Sequence, residues 1–333
     1  MKLTQEQIKT ITQGALDVLV SDGYIRFLRF TAQECEVIGN PNLYYPAGVQ
    51  LICRTDGNSL RMCGRTISQT GIRSYYTVDI YENDSLIGTV TNLQDEDAVG
   101  DFASQVYPVG DFEAEFPLGS GEKQIRIVLP HSVLAEISEL TIAGASYVIP
   151  VPREKKLVVY GDSITQGYDA LHPSNTYTMR LAEALGAELF NKGLGGACFS
   201  AATAAAPGGV RADAVLAAYG TNDWTCFDRT AFTANAAGFF ENLVKQYPDI
   251  PIYAVTPIWR KDYPDRVTPF GAFTEIADVI RTVCRPYPHV HVIGGIGLVP
   301  HEEIFFGDLR LHPNDAGFAE YAAHLLEEIG TLQ

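Results

Sequence analysis

The sequence contains no run of eighteen apolar residues, which excludes a membrane-spanning helix of the usual length. Its first residues, MKLTQEQIKTIT, lack the apolar stretch and small-residue cleavage site of a secretory signal. A cytoplasmic location is the expectation from this start. Basic residues are scarce: 24 Lys and Arg stand against 40 Asp and Glu, a formal net charge of −16. Phosphate backbones and anionic lipid repel such a chain at long range, so no nucleic-acid or membrane partner is expected. The 6 cysteines include no Cys-x-x-Cys pair, and buried free thiols are the simplest reading. Cys53 and Cys63 are spaced to face each other across a hairpin. No low-complexity tract and no internal repeat is present.

What is present is globular. The chain has 333 residues, about twice the ~150 of a typical domain, with 46% apolar and 19% charged residues. The first half reads as β. Short runs at Tyr24–Phe30, Val49–Cys53, Ser59–Cys63, Ile72–Tyr81, Leu86–Thr91, Gln124–Leu129, Leu140–Ala143 and Tyr147–Ile149 have strand character. Glu82-Asn83-Asp84-Ser85 is a hairpin turn between two of them. Strands at this spacing predict an all-β sandwich or jelly roll over residues 1–150, with a helix near Thr4–Leu19. Pro150–Lys156 is a polar, proline-bearing linker. Beyond it, over 156–333, strands alternate with helices. Strands are predicted at Leu157–Tyr160, Ala187–Phe190, Ala214–Tyr219, Ile250–Thr256 and Val290–Ile293. Helices are predicted at Asn175–Leu185, Thr230–Gln246 and Phe273–Cys284, and after Asn314. Five such strands predict a parallel sheet covered on both faces.

In doubly wound sheets, ligands sit beyond the carboxyl ends of the strands. The segments there are GDSITQG from Gly161, NKGLGG from Asn191, GTNDW from Gly220, and DLRLHP from Asp308. A serine, glycine-bearing turns, an asparagine and a histidine converge on one edge. Those residue types suit acyl transfer. Ser163 is the candidate nucleophile and His312 its base. The backbone N–H groups of Ser163 and Gly196 and the Asn222 amide are candidate oxyanion donors. Glycine at 196 would let the backbone approach with no Cβ in the way.

GDSITQG, the Asn191–Gly196 turn, GTND and the closing HPND at 312–315, in this order, resemble the four signature blocks of the SGNH (GDSL-like) hydrolase superfamily over about residues 156–330. The resemblance implies a flavodoxin-like three-layer α/β/α domain with Ser163, Gly196, Asn222 and His312 in the roles above. It also implies that neither a metal nor an organic cofactor is needed. A β-rich domain ahead of the catalytic one is similar to carbohydrate-esterase members, whose first domain is a jelly roll. One position departs from the pattern. The family places an Asp three residues before the histidine, where this chain has Leu309. Asp308, four residues before, reaches His312 if the segment turns helically. On an extended strand the two would be about 13 Å apart. The open alternative is a Ser–His dyad whose histidine is oriented by a backbone carbonyl.

Other candidates read more plainly. Asp162 is a turn-former. Trp224 and Trp259 serve core packing or a pocket wall. Arg260 and Lys261 are expected at the solvent surface rather than on a substrate carboxylate. His289 and His291 lack the further ligands a metal needs. His172 and His301 rival His312 as base only if His312 fails, and His131 carries no signal. The expected function is a serine esterase acting on small acyl esters, O-acetyl groups of a carbohydrate foremost. The alternatives are an acyltransferase using the same acyl-enzyme, or a catalytically silent carbohydrate-binding protein. The expected partner is a small-molecule or carbohydrate ester, and the sequence is compatible with a homo-oligomer.

Overall fold

The computed structural model describes residues 1–69, 73–94 and 105–332. Ile72, the first residue of one predicted strand, lies outside that set. The antiparallel strands fall within the first 150 residues. They are β1 (Thr12–Gln13), β2 (Asp17–Ser21), β3 (Tyr24–Leu28), β4 (Gln50–Thr55), β5 (Ser59–Ile67), β6 (Thr77–Glu82), β7 (Ser85–Thr91), β8 (Asp111–Pro117), β9 (Lys123–Val128), β10 (Leu134–Ala143) and β11 (Val148–Pro150). One sheet runs β2-β3-β10-β5-β8. The other runs β1-β4-β9-β6-β7, with β11 also on β4. Alternation explains the arrangement. In β5, Leu60 and Met62 are buried while Arg61 and Cys63 are only half-buried. In β9, Ile125 and Ile127 turn inward. Each sheet therefore has one apolar face. The two faces close on each other through Phe27, Leu60, Ile137, Leu51, Val78 and Ile127.

Two expectations fail here. The first helix, α1 (Gln5–Ile11), is much shorter than Thr4–Leu19. A capping box on Thr4 and Gln7 starts it. Gly14, at φ +81°, then turns the chain, and an added Cβ would lie 2.6 Å from the Gly48 carbonyl oxygen. The following residues become strand β2. Cys53 and Cys63 do not face each other, because β4 and β5 belong to opposite sheets. Both are free thiols, and burial pushes Cys53 up to about 12.

The parallel sheet follows: β12 (Lys155–Gly161), β13 (Ala187–Gly193), β14 (Ala214–Ala218), β15 (Ile252–Val255) and β16 (Val290–Ile293). Its order is β13-β12-β14-β15-β16, with parallel pairing throughout. Besides α1, the helices are α2 (Ala32–Ile38), α3 (Ser163–Gln166), α4 (Tyr177–Ala184), α5 (Ala201–Ala205), α6 (Thr221–Cys226), α7 (Arg229–Gln246), α8 (Ile276–Cys284) and α9 (Asp315–Thr331). In β12, Leu157 and Val159 pack with α4 and α9, while Val158 and Tyr160 pack with α7 and α8. That is a three-layer α/β/α fold. The α9 stripe of Phe318, Ala322, Leu325 and Ile329 is buried, and truncating Leu325 to Ala would cost about 2–5 kcal/mol. Among the described residues no helix is long and apolar enough to cross a membrane.

The chain leaves β12 to one side for β13, then crosses to the other side for β14. Neighbouring connections diverge at that point and open a crevice at the carboxyl ends of β12 and β14. The segments carrying Ser163 and Asn222 both start there.

Candidate active site

Gly161 ends β12, and no other residue fits there. A Cβ would lie 2.0 Å from Thr165 Oγ1. The next residue, Asp162, caps α3 by accepting the Ile164 N–H at 2.9 Å. Burial pushes its carboxyl up to about 6. Ser163 is then the first residue of the helix, where its own N–H has no intrahelical partner. Its Oγ lies 2.8 Å from His312 Nε2.

Near the end of β13, the buried Asn191 side chain spans the start of the turn. It donates to the Thr165 carbonyl at 2.8 Å and accepts the Gly193 N–H at 2.8 Å. Gly195 donates to Gln166 Oε1 at 2.7 Å, and a Cβ there would meet the Tyr168 hydroxyl at 2.6 Å. Gly196 is different. No atom lies within 4 Å of where its Cβ would be, so crowding is not the reason for glycine. Its φ of +76° is, because L side chains disfavour that region. Asn222 lies on α6, and its amide donates to the Ala197 carbonyl at 3.0 Å. That bond ties Asn222 to the Gly196 loop and uses one of its two amide protons. Behind it, Asp223 accepts the Phe199 N–H at 3.0 Å, and burial pushes its carboxyl up to about 7.

His312 comes from a loop that doubles back on itself. Phe306 bridges Pro313, and the Gly307 N–H donates to the His312 carbonyl at 2.8 Å. The segment is neither helical nor extended. Leu309 takes a left-handed φ of +55°. Asp308 Oδ1 accepts three backbone N–H groups, from Arg310 at 3.0 Å, Leu311 at 2.7 Å and His312 at 3.1 Å. This Asx-type turn leaves Oδ2 facing His312 Nδ1 at 2.8 Å. Burial alone would raise the Asp308 carboxyl. The imidazole and backbone donors outweigh it and hold the group well below the usual carboxylate range. At Nδ1 stands a carboxylate rather than a backbone carbonyl.

Two neighbours escaped the sequence reading. Arg73, from the segment leading into β6, donates from Nε to Asp169 Oδ1 at 2.9 Å. Its Nη2 lies 3.2 Å from His312 Nδ1. Asp169 follows α3, is fully buried at φ +71°, and its Oδ2 lies 3.7 Å from His312 Nδ1. No spacing rule joins residues 73 and 312, so only the fold could reveal the contact. Asp169, Asp308 and His312 have metal-like donor spacing, all within 4.8 Å. The Arg73 guanidinium already lies against them as a fixed cation.

The remaining candidates lie apart from this cluster or behind it. Arg260 is not at the surface. It is buried, donates to Thr221 Oγ1 at 3.0 Å, and covers the Trp224 ring. The reason is its ion pair with Asp262, which lets a guanidinium lie inside. Lys261 is exposed and pairs with Glu303. Trp224 is core, whereas Trp259 stacks on His301 at 5.5 Å. His172 is held by Asp79 at 2.7 Å. His131 is buried, and burial pushes it down to about 4.

The first half of the chain also braces the loops after β12 and β13. Arg29 donates to the Asn191 carbonyl at 2.6 Å. Asn40 donates to the Gly195 carbonyl at 3.0 Å, and Asn42 to the Tyr168 hydroxyl at 2.9 Å. Lys192 and Glu34 form a fully buried ion pair at 2.7 Å.

Residues 159–319 match the model of the GDSL-like lipase/acylhydrolase family. Comparison with curated proteins finds no match by sequence. Several solved structures share the fold along nearly the whole chain. A salicylyl-acyltransferase, SsfX3, from a tetracycline biosynthetic pathway is 20% identical with a TM-score of 0.74, over 96% of this chain and 94% of that one. A protein of Bacteroides ovatus described as a GDSL-like lipase is 17% identical with a TM-score of 0.77, over 98% and 96%. A family two carbohydrate esterase of Cellvibrio japonicus is 18% identical with a TM-score of 0.63, over 98% of each chain. The α/β/α part of this chain is thus an SGNH-type, GDSL-like acylhydrolase domain, and the protein is a carboxylic ester hydrolase.

Proposed function

We propose that this GDSL-like acylhydrolase cleaves small acyl esters, acetyl esters of a carbohydrate foremost, through an acyl-enzyme on Ser163. In this reading residues 1–150 are a sandwich domain and residues 156–333 the hydrolase body. The observation that carries it is the relay from Ser163 Oγ through His312 to Asp308, with both contacts at 2.8 Å. As Ser163 attacks the ester carbonyl, its proton passes to His312 Nε2. The oxyanion receives hydrogen bonds from the Ser163 and Gly196 N–H groups and the free amide proton of Asn222. Asp308 steadies the imidazolium. When the intermediate collapses, His312 returns the proton to the departing alcohol. Water then gives a proton to His312 and attacks the acyl carbon; as the bond from the acyl carbon to Ser163 Oγ breaks, His312 passes that proton to Oγ and the acid leaves. None of these steps calls on a metal or organic cofactor.

The carbohydrate esterase among the structural neighbours supports the sugar-ester part of the proposal. A panel of p-nitrophenyl esters and acetylated sugars tests it. Acetyl esters are expected to turn over faster than butyryl or octanoyl esters. Faster turnover of octanoyl esters would replace the proposal with a lipase or thioesterase. The acyltransferase neighbour supports a second reading, in which an alcohol or amine takes the acyl group instead of water. Product partition with an acceptor competing against water separates the two. Hydrolysis dominant at every acceptor concentration excludes transfer.

A further inference from the structure

We infer that Arg73, paired with Asp169, is a positioning element for His312: the sandwich half supplies a fixed cation that assigns the imidazole to Asp308 and keeps it neutral and ready as a base. This rests on the serine-esterase reading above.

Two carboxylates converge on one ring nitrogen. Asp308 Oδ2 lies 2.8 Å from His312 Nδ1, and Asp169 Oδ2 lies 3.7 Å from it. Nδ1 carries a single proton and can serve only one of them. Arg73 Nε holds Asp169 Oδ1 at 2.9 Å, which keeps that carboxylate off the ring. Asp169 Oδ2 has no hydrogen-bond partner among the described residues. A buried carboxylate left that way is tolerated only if its charge is balanced nearby. Arg73 supplies the balance, with a side chain only 18% exposed and its guanidinium 5.0 Å from the Tyr168 ring centre.

The groups facing His312 come from several elements. Ser163 and Asp162 lie at the start of α3. Asp169 and the Tyr168 ring follow α3. Asp308 comes from the histidine's own loop and Arg73 from the sandwich half. Tyr75, beside Arg73, accepts the Asp169 N–H at 2.7 Å. Among the described residues, Arg73 is the cation in contact with the ring. Without it, Asp308 and Asp169 would jointly favour the imidazolium, which cannot accept the serine proton.

The test is the rate of Ser163 labelling by a fluorophosphonate between pH 5 and 9, confirmed by mass spectrometry. Arg73→Gln should move the acid limb to higher pH by about one unit. Labelling below the limb then slows about tenfold, while labelling above pH 8 stays within about threefold. Arg73→Lys, keeping the charge, should recover most of the shift. Arg73→Gln with Asp169→Asn should bring the limb back toward wild type. Asp169→Asn alone, which leaves Arg73 in place, should move the limb to lower pH and serves if Arg73→Gln fails to fold. An Arg73→Gln profile that superimposes on wild type after scaling overturns the inference, as does an unmoved limb in Asp169→Asn. Wild type that is not labelled at Ser163 is a different result. It removes the serine-esterase reading, and this inference with it.

Discussion

Replacing Asp308 by Asn removes one charge and almost no volume, and the turn that holds residue 308 dictates how an asparagine must sit. Oδ1 of residue 308 accepts three backbone N–H groups at 2.7–3.1 Å. An asparagine must keep its oxygen there, because turning the amide round would aim its NH2 at three donors. Its NH2 then faces His312 Nδ1, where the carboxylate oxygen stood 2.8 Å away. The ring can accept that bond only by moving its proton to Nε2, and Nε2–H cannot take a proton from Ser163. The loss of charge compounds this, since the imidazolium formed during attack loses its counter-ion. Together these should lower kcat by about 10²–10⁴. The sign of the pH effect comes from the same charge. A carboxylate at Nδ1 favours the protonated ring, so its removal should move the acid limb of kcat/KM to lower pH. The fold should survive, because the three backbone bonds survive. The assay is p-nitrophenyl acetate hydrolysis from pH 5 to 9, with thermal unfolding as the control. A folded Asp308→Asn enzyme with kcat within about threefold of wild type and a superimposable profile would refute the reasoning. The site would then reduce to a Ser163–His312 dyad.

Three further outcomes are expected. Ser163→Ala should abolish hydrolysis in a folded protein, and retention of more than about a tenth of kcat would remove Ser163 as nucleophile. Asn222→Ala should cut kcat by about 10²–10³ with little change in KM, because an oxyanion donor acts in the transition state; a pure KM effect would make it a substrate-binding residue instead. His131, held at about 4 by burial against 6.5 when free, binds fewer protons folded than unfolded between those values. Its contribution to stability is therefore complete above pH 6.5 and is lost progressively as pH falls towards 4. Melting temperatures measured at pH 7.5 and 5 should diverge less in His131→Asn than in wild type, and an equal divergence would discount the residue.

The order of the blocks, the change from period-two strands to alternating strands and helices, and the turn at Glu82–Ser85 are local properties. They are written in neighbouring residues and can be read without a fold. The four strand-end segments were legible for that reason, and so was the Asn314 cap of the last helix. Boundaries set by distant partners were not. Helix α1 stops at Ile11 because Thr12 and Gln13 pair with β4, and Cys53 and Cys63 part because β4 and β5 pair in different sheets. Arg260 looks like a surface residue until Asp262, Thr221 and Trp224 surround it. The Asp308–His312 spacing shows the limit most clearly. A separation of four residues permits a helical contact or a gap of about 13 Å. The choice was made by a left-handed Leu309 and three backbone donors gathered on one carboxylate oxygen. Arg73 lies 239 residues before the histidine it touches, and only the docking of the sandwich against the α/β layers brings the two together. Local sequence therefore determined which chemical groups the site would contain. The tertiary structure decided which charges surround them, because electrostatics acts through space and not along the chain.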